Sequence, residues 1–483
     1  MRYANTLYVL GWLIFVLAGA MALPAIVAVG AGEDAEAFSF MAMSTVTAFF
    51  GGGFVFALEG SLSNASMREN MLLTLIAMIF LPLFAAIPIF ASGAVETMPA
   101  AYFEAVSGLT TTGATIIKDL DNASSSILLW RAILQWLGGL GILVIAVSVL
   151  APFGAAGRDI QRALAPLGDE GPSLERFILV MRMVAVIYLS ATVLGVIGIA
   201  FGGVPMFDAV CIGLSSISTG GFATTNNGIR DFHAPASEIV VALVMFYGAT
   251  NFLLHAAAMR GRVSAYLSDP EPRNMLFAVI LLAFFFAVAN AAGVGVINDP
   301  GAGFLLFNAI SLVTTTGYWL GDLTALTLTP LPLIIGFAMI GGSMMSTAGG
   351  VHHLRLSILL KQSVREFRRL VHPHSVSRAS YGGAPITFDM MSGVWAIFVA
   401  MFVSFAALSI VLSGMGFEPD AAMAASISAL SNIGPLYQWA GENASPLFAA
   451  PDSAKLVMCA AMIAGRVEIL LILSFLNPAF WRT

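Results

Sequence analysis

The sequence predicts an all-α membrane protein with ten transmembrane helices: two leading helices, then four span–pore-loop–span repeats around one pore. Three observations carry this. The 483-residue chain is 59% hydrophobic and only 10% charged, with a mean hydropathy of +0.91, whereas a soluble domain carries roughly a quarter of its residues charged. Many apolar runs are long enough for a bilayer core, which takes about 20 helical residues. Short segments ending in a Ser/Thr/Asn-Gly turn recur four times, each between two such runs, at intervals of about 100 residues.

The spans fall near 6–29, 38–58, 71–91, 128–151, 177–201, 237–258, 274–297, 331–360, 390–413 and 454–477. The first apolar run, Leu7 to Val29, exceeds the apolar core of a cleavable signal, about 7–15 residues, and reads as a membrane helix. Cys211 and Cys459 lie far apart in apolar segments and read as packing residues. These spans divide the chain into a leading pair (1–65) and repeats at 66–157, 158–262, 263–380 and 381–483.

Basic residues set the orientation. Arg158, Arg162 and Arg176 share a side with Arg260, Arg262 and Arg273, and with Lys361, Arg365, Arg368, Arg369 and Arg378. Arg2, Arg68 and Arg482 fall there too, so that side, N-terminus included, is cytoplasmic. The opposite side holds Lys118, Arg131, Arg230 and Lys455 against about sixteen acids, including Glu33, Glu104, Asp119, Asp121 and Asp322. Two explanations stay open: acids translocate with little effect on topology, or an acidic outer mouth concentrates cations.

The four recurring segments are Phe103 to Gly113, ending Thr111-Thr112-Gly113; Ser215 to Thr225, containing Ser218-Thr219-Gly220; Phe307 to Gly317, ending Thr315-Thr316-Gly317; and Ser428 to Pro435, containing Asn432-Ile433-Gly434. Each unit reads as a span, a re-entrant half-helix, a polar loop and a second span. Non-helical backbone at membrane depth is tolerated only where protein buries it or water reaches it. Four such loops around an axis would line a pore, in which inward carbonyls replace the hydration shell of a dehydrated monovalent cation. Glycine permits the dihedrals this needs, threonine hydroxyls add oxygens, and the negative C-terminal ends of the half-helices favour a cation. One Thr-Thr-Thr-Gly segment alone would read as packing; four between paired spans do not.

At these residues the chain resembles the Trk/Ktr/HKT superfamily of potassium transporters, and within it the Trk-type membrane subunit. The resemblance extends to Leu134-Gln-Trp-Leu-Gly-Gly-Leu-Gly-Ile142, to Gly341-Gly-Ser-Met-Met-Ser-Thr-Ala-Gly-Gly350 and to Ala464-Gly-Arg-Val-Glu-Ile469, and the two leading spans match the pair that sets the Trk type apart from the Ktr type. It implies a K+ selectivity filter with Gly113, Gly220, Gly317 and Gly434 as its glycines, preceded by Thr112, Thr219, Thr316 and Ile433. It further implies an intramembrane gate loop containing Gly341, Gly342, Ser343, Thr347, Gly349 and Gly350, with Arg466 in the pore below the filter restraining cation flow. Independently of the family, four glycines should break the eighth span there, since glycine costs about 1 kcal/mol relative to alanine in a helix. Arg466 lies mid-way along an apolar run, where a charge faces a cavity or a partner; an ion pair with another helix is the alternative.

The same resemblance implies potassium uptake across the bacterial inner membrane, driven by the membrane potential, by a homodimer on a ring of cytoplasmic nucleotide-binding regulatory (TrkA-like) subunits. No cofactor in this chain and no nucleic acid partner is implied, and no Gly-x-Gly-x-x-Gly after a strand marks a nucleotide site within it. The basic cluster Lys361 to Arg378 reads as a docking surface or as a plain topology signal. The chain departs from the family pattern at Leu436, Tyr318, Trp319, Met344, Met345 and at His352-His353, which read as a cytoplasmic helix end meeting water or a partner. Sodium or mixed permeation, which Gly113 argues against, or a diverged pore with altered gating is the alternative. A membrane enzyme would need convergent catalytic groups at depth, where only Arg466 and Glu468 are found; coupled transport through inverted repeats fits four filters less well.

Overall fold

The structure is a computed structural model and describes residues 3–60, 67–146, 174–291, 301–320, 331–372, 380–381, 384–443, 447–469 and 472. Helices dominate. The leading pair is α1 (Tyr3–Ala31) and α2 (Asp34–Ala57). It packs closely because Gly11 and Gly51 face the partner helix: a Cβ on Gly11 would come within 2.7 Å of Phe54 Cβ, and one on Gly51 within 2.7 Å of the Phe15 amide nitrogen. Small residues let membrane helices approach in this way, where no hydrophobic drive between helices exists.

Repeat 1 comprises α3 (Met67–Ala91), the short α4 (Met98–Leu109) and α5 (Ser125–Ile145). Repeat 2 comprises α6 (Leu174–Phe201), the short α7 (Met206–Ile217), then α8 (Pro235–Gly248) and α9 (Phe252–Met259). A one-turn helix, α10 (Ala265–Ser268), leads into repeat 3, formed by α11 (Pro270–Ala291), α12 (Ala302–Val313), α13 (Leu331–Ile340) and α14 (His353–Val371). Repeat 4 comprises α15 (Phe388–Gly414), α16 (Pro419–Leu430) and α17 (Asp452–Val467). A small antiparallel pairing of Ser380–Tyr381 with Ala384–Pro385 lies outside the helical pattern.

Seven of these helices are long and apolar enough to cross a bilayer by themselves. The expected span 237–258 is not continuous. It breaks at Ala249-Thr250-Asn251, and α8 and α9 meet at 99°. The physical reason is local: Asn251 Oδ1 accepts from the Leu253 amide at 2.9 Å and starts a new helix, as an N-cap asparagine does. The expected span 331–360 breaks too, at Gly341. The expected span 454–477 is helical to Val467 and then kinks at Glu468, whose φ is 69°. The far ends of the expected spans 128–151, 274–297 and 454–477 lie outside the described residues, as do Arg158, Arg162, Asp322 and Arg378.

The main buried cluster threads through all four repeats, with Phe103, Trp130, Leu312, Ile433 and Met462 among its members. Cys211 and Cys459 are buried free thiols.

Candidate functional site

The four short helices α4, α7, α12 and α16 are each twelve residues long. They end in the same way. Thr110, Ser218, Thr314 and Ser431 carry φ between −93° and −81° with ψ near zero. The following residue is left-handed in every repeat: Thr111 at 54°, Thr219 at 51°, Thr315 at 59° and Asn432 at 54°. A β-branched residue in that region is an outlier costing about 1–3 kcal/mol. Its occurrence at one step of three repeats, with Asn432 in the same conformation at that step of the fourth, marks a construction, since packing accidents do not recur in register. Two residues on, Gly113, Gly221 and Gly317 carry φ of 81°, 79° and 86°.

This register corrects the second repeat. Gly220 stands at the step of Thr112, Thr316 and Ile433, and Gly221 stands at the step of Gly113 and Gly317. The hydrogen bonding gives the reason: the amides of Thr112, Gly220, Thr316 and Ile433 donate to the carbonyls of Ser107, Ser215, Ser311 and Ser428 at 2.8, 2.9, 3.0 and 2.9 Å. A serine six residues before each glycine marks the register in the sequence, and aligning on it selects Gly221 over Gly220.

The segments close on one another in chain order. A Cβ on Gly113 would overlap the carbonyl oxygen of Gly220, and one on Gly221 would overlap that of Thr316. Gly317 abuts Pro435, and Gly434 abuts Gly113. Repeat 4 joins repeat 1 through the Gly434 amide, which donates to the Thr112 carbonyl at 2.5 Å, and through Asn432 Nδ2, which donates to Thr112 Oγ1 at 2.9 Å. Residues 110–113, 218–221, 314–317 and 431–434 are all buried. Within the ring the Thr111 hydroxyl and Asn432 Oδ1 are buried without a hydrogen-bond partner. Such groups cost about 1–3 kcal/mol unless something pairs with them, and an oxygen in that position fits a cation.

Side chains behind the ring hold it in shape. Asn308 spans twelve residues to Leu320, accepting from its amide at 3.0 Å and donating to its carbonyl at 3.1 Å. Glu104 does the same for Ile116, whose amide donates to Oε2 at 3.1 Å, while Thr115 Oγ1 donates to Oε1 at 2.9 Å. Arg131 Nε pairs with Glu104 Oε1 at 2.7 Å, with both side chains at most 1% exposed. These two are thus a buried pair and no part of an open outer mouth. Glu33 is structural as well, accepting from the Ser125 and Ser126 amides at 2.6 and 3.1 Å at the start of α5. Asp119 and Asp121 are exposed and meet Asn226, whose Nδ2 donates to them at 2.9 and 2.7 Å. Neighbouring side-chain amides, Asn122 first and then Asn226, hold the Asp119 carboxyl below its ordinary pKa.

The glycine-rich segment 341–352 runs beneath the ring. Ser343 and Thr347 donate their amides to the carbonyls of Ala249 and Gly248 at 2.9 and 3.1 Å, and the Phe252 amide donates to Met345 O at 3.0 Å. The break between α8 and α9 thus supplies the groups that hold the loop. The Gly349 amide donates to Thr315 Oγ1 at 2.8 Å, Thr219 Oγ1 donates to Thr347 Oγ1 at 3.4 Å, and Gly349 lies too close to the Ser431 carbonyl for any side chain. Gly342 accepts from the His353 amide at 3.1 Å, and Val351 and His352 return to Met339 and Ile340 at 2.8 and 2.7 Å, so Gly341 and Gly350 close the base of the loop. The loop therefore touches the ring segments of repeats 2, 3 and 4.

Arg466 is buried and donates through Nη2 to the Thr347 carbonyl at 2.5 Å. Among the described residues it forms no ion pair; Glu468 pairs instead with Arg355 at 2.5 Å. A cavity of about 50 Å³ lies beside it, lined by Ile142, Met345, Ser346, Gly349, His352 and Arg466, among others. His353 is buried and His352 half-buried, so of the pair expected to meet water or a partner His353 faces the protein interior instead.

A helical, multi-span membrane protein with four equivalent half-helix and loop units closed into a ring belongs among membrane transport proteins and not among enzymes. Residues 36–478 match the TrkH family, described as cation transport protein, and the chain belongs to that family. It is similar to the Trk system potassium uptake protein TrkH of Salmonella typhimurium, 29% identical over 500 residues and covering all of both chains. It is also similar to the Trk system potassium uptake protein TrkI of Halomonas elongata, 31% identical over 489 residues, which span 100% of this chain and 97% of that protein. The crystal structure of the potassium transporter TrkH from Vibrio parahaemolyticus superimposes with a TM-score of 0.87 at 30% identity, covering all of both chains.

Proposed function

We propose that this chain is the membrane subunit of a bacterial potassium uptake system and that K+ passes through the ring formed by residues 110–113, 218–221, 314–317 and 431–434. The carrying observation is the left-handed residue repeated at Thr111, Thr219, Thr315 and Asn432; the same turn in four buried segments supports a filter in which backbone carbonyls and hydroxyls replace a cation's hydration shell. The names of the relatives support the choice of ion, and Gly113 supports potassium over sodium. The loop 341–350 and Arg466 form the gate below the filter. The loop runs straight into α14, whose Lys361, Arg365, Arg368 and Arg369 offer a docking surface to a cytoplasmic nucleotide-binding regulatory subunit. The working unit is a homodimer with one pore per protomer, its N-terminus cytoplasmic, in the inner membrane.

The test is growth of a potassium-uptake-deficient bacterium on micromolar to millimolar potassium, expressing the wild-type chain, Gly113→Ser or Arg466→Ala, with and without a regulatory subunit. Rescue by the wild type that weakens in Gly113→Ser supports a potassium filter of this design. Failure of every version despite verified membrane expression sinks simple potassium uptake.

A further inference from the structure

Phe222, the residue after Gly221, is held on three sides by groups from two other repeats. Its amide donates to Gln135 Oε1 at 3.2 Å, its ring lies 4.0 Å from the Arg131 guanidinium, and its carbonyl accepts from the Tyr318 hydroxyl at 2.7 Å. Gln135 and Arg131 stand one turn apart on α5 of repeat 1, and Tyr318 directly follows Gly317 of repeat 3. All are buried, with Phe222 and Tyr318 each 3% exposed. Arg131 is itself locked by Glu104 and donates through Nη1 to the Ala223 carbonyl at 3.1 Å.

The geometry points to Tyr318, acting with Gln135, as a positioning residue that fixes the Gly221–Phe222 peptide and so sets discrimination between K+ and the smaller Na+. The inference rests on the filter reading above. In a trans peptide the N–H and C=O point in opposite directions, and the described chain has no cis bond. Binding the Phe222 N–H outward to Gln135 on α5 therefore turns the Gly221 carbonyl away from α5, toward the enclosed axis. Tyr318 then restrains the next carbonyl, so neither end of the residue is free to swing. A smaller cation is coordinated well only if carbonyls close in on it, and a peptide tethered at both sides resists that movement. Ser215 Oγ also donates to Gln135 Oε1, at 2.6 Å, joining the same acceptor to the serine that sets the register of repeat 2.

The experiment measures K+ and Na+ flux of the full-length protein in liposomes, with thermal midpoints in detergent as a check on folding. Tyr318→Phe removes one hydroxyl, and Gln135→Met removes the acceptor on the other side of the same residue at similar volume. Each is expected to lower the K+:Na+ flux ratio by about two- to tenfold, the range for losing one buried hydrogen bond, with little change in thermal midpoint for Tyr318→Phe. A folded protein of either kind with the wild-type ratio overturns the inference. Gly113→Ser, run in parallel, separates the two failures. If it alone lowers the ratio, the filter stands and the tether does not; if no variant moves the ratio, the filter reading itself falls.

Discussion

Arg466 donates to the carbonyl oxygen of Thr347 at 2.5 Å, so the last described helix of repeat 4 is fastened to the glycine-rich loop of repeat 3. The same threonine donates through its hydroxyl to Gly248 O at 2.9 Å and Ile217 O at 3.0 Å. One residue thus ties the loop to repeats 2 and 4 at once. Removing the guanidinium deletes a charged hydrogen bond to the loop and a positive charge beneath the ring. Arg466→Ala is expected to raise K+ or Rb+ influx into cells by about tenfold or more, given the ~1.5 kcal/mol lower figure for a charged hydrogen bond. Influx at or below the wild-type level, at equal expression, counts against a restraining role.

The corrected register separates two neighbouring glycines. A Cβ at Gly221 meets the Thr316 backbone carbonyl, and φ there is 79°. A Cβ at Gly220 meets the side-chain amide of Gln135, which can shift only at the expense of its bonds to Ser215 and Phe222, and φ there is ordinary. Gly221→Ala should therefore abolish potassium transport at verified expression, while Gly220→Ala retains a measurable fraction. Equal loss in both, read as Rb+ uptake, would contradict the register drawn from Ser107, Ser215, Ser311 and Ser428.

Glu104 and Arg131 make a buried pair whose members are unequal in what their loss leaves behind. Arg131→Ala strands a carboxylate that is 0% exposed; breaking a buried pair from one side costs about 3–5 kcal/mol. Glu104→Gln keeps an acceptor for the Ile116 amide and for Arg131, and is expected to be milder. Thermal midpoints in detergent should rank wild type, Glu104→Gln, then Arg131→Ala, with the last recovered in low yield. A wild-type midpoint for Arg131→Ala would mean that the pair does not support the fold.

Much of this was legible in the sequence. The long apolar runs revealed a multi-span helical membrane protein because bilayer thickness imposes a length, and the fourfold recurrence revealed the loops because each carries the same turn. The break at Gly341 was readable from glycine density. The break at Asn251 was not, because a capping asparagine inside an apolar run looks like any tolerated polar residue until its carbonyl neighbours are seen holding segment 341–352. The pairing of Glu104 with Arg131 was not legible, because counting charges assigns a side of the membrane and says nothing of burial behind a loop. Gly220 was chosen over Gly221 because two adjacent glycines offer two registers, and only the serine six positions earlier decides between them. Tyr318 stood out as a bulky departure, but its partner in another repeat follows only from the closed ring.

Asp119 supplies the last prediction. It accepts from Asn122 Nδ2 at 2.7 Å and from Asn226 Nδ2 at 2.9 Å, and Asn226 Oδ1 in turn accepts from the Leu120 amide at 2.8 Å. Asn226 thereby joins the loop after residues 110–113 to the loop after residues 218–221. These bonds lower the carboxyl pKa, the Asn122 bond most and then the Asn226 bond. A group with a depressed folded pKa contributes stability that is fully present above its unfolded value, about 3.9, and is lost as pH falls through the lower folded value. Asn226→Leu removes one of the two side-chain donors and moves Asp119 back toward the ordinary range. At neutral pH the variant should melt below the wild type. As pH drops below about 4 the charge-dependent part of the gap between their midpoints should narrow, since it is lost between the unfolded value and the lower folded one. Midpoint curves in detergent that stay parallel down to pH 3 would show that Asn226 acts without help from the Asp119 charge.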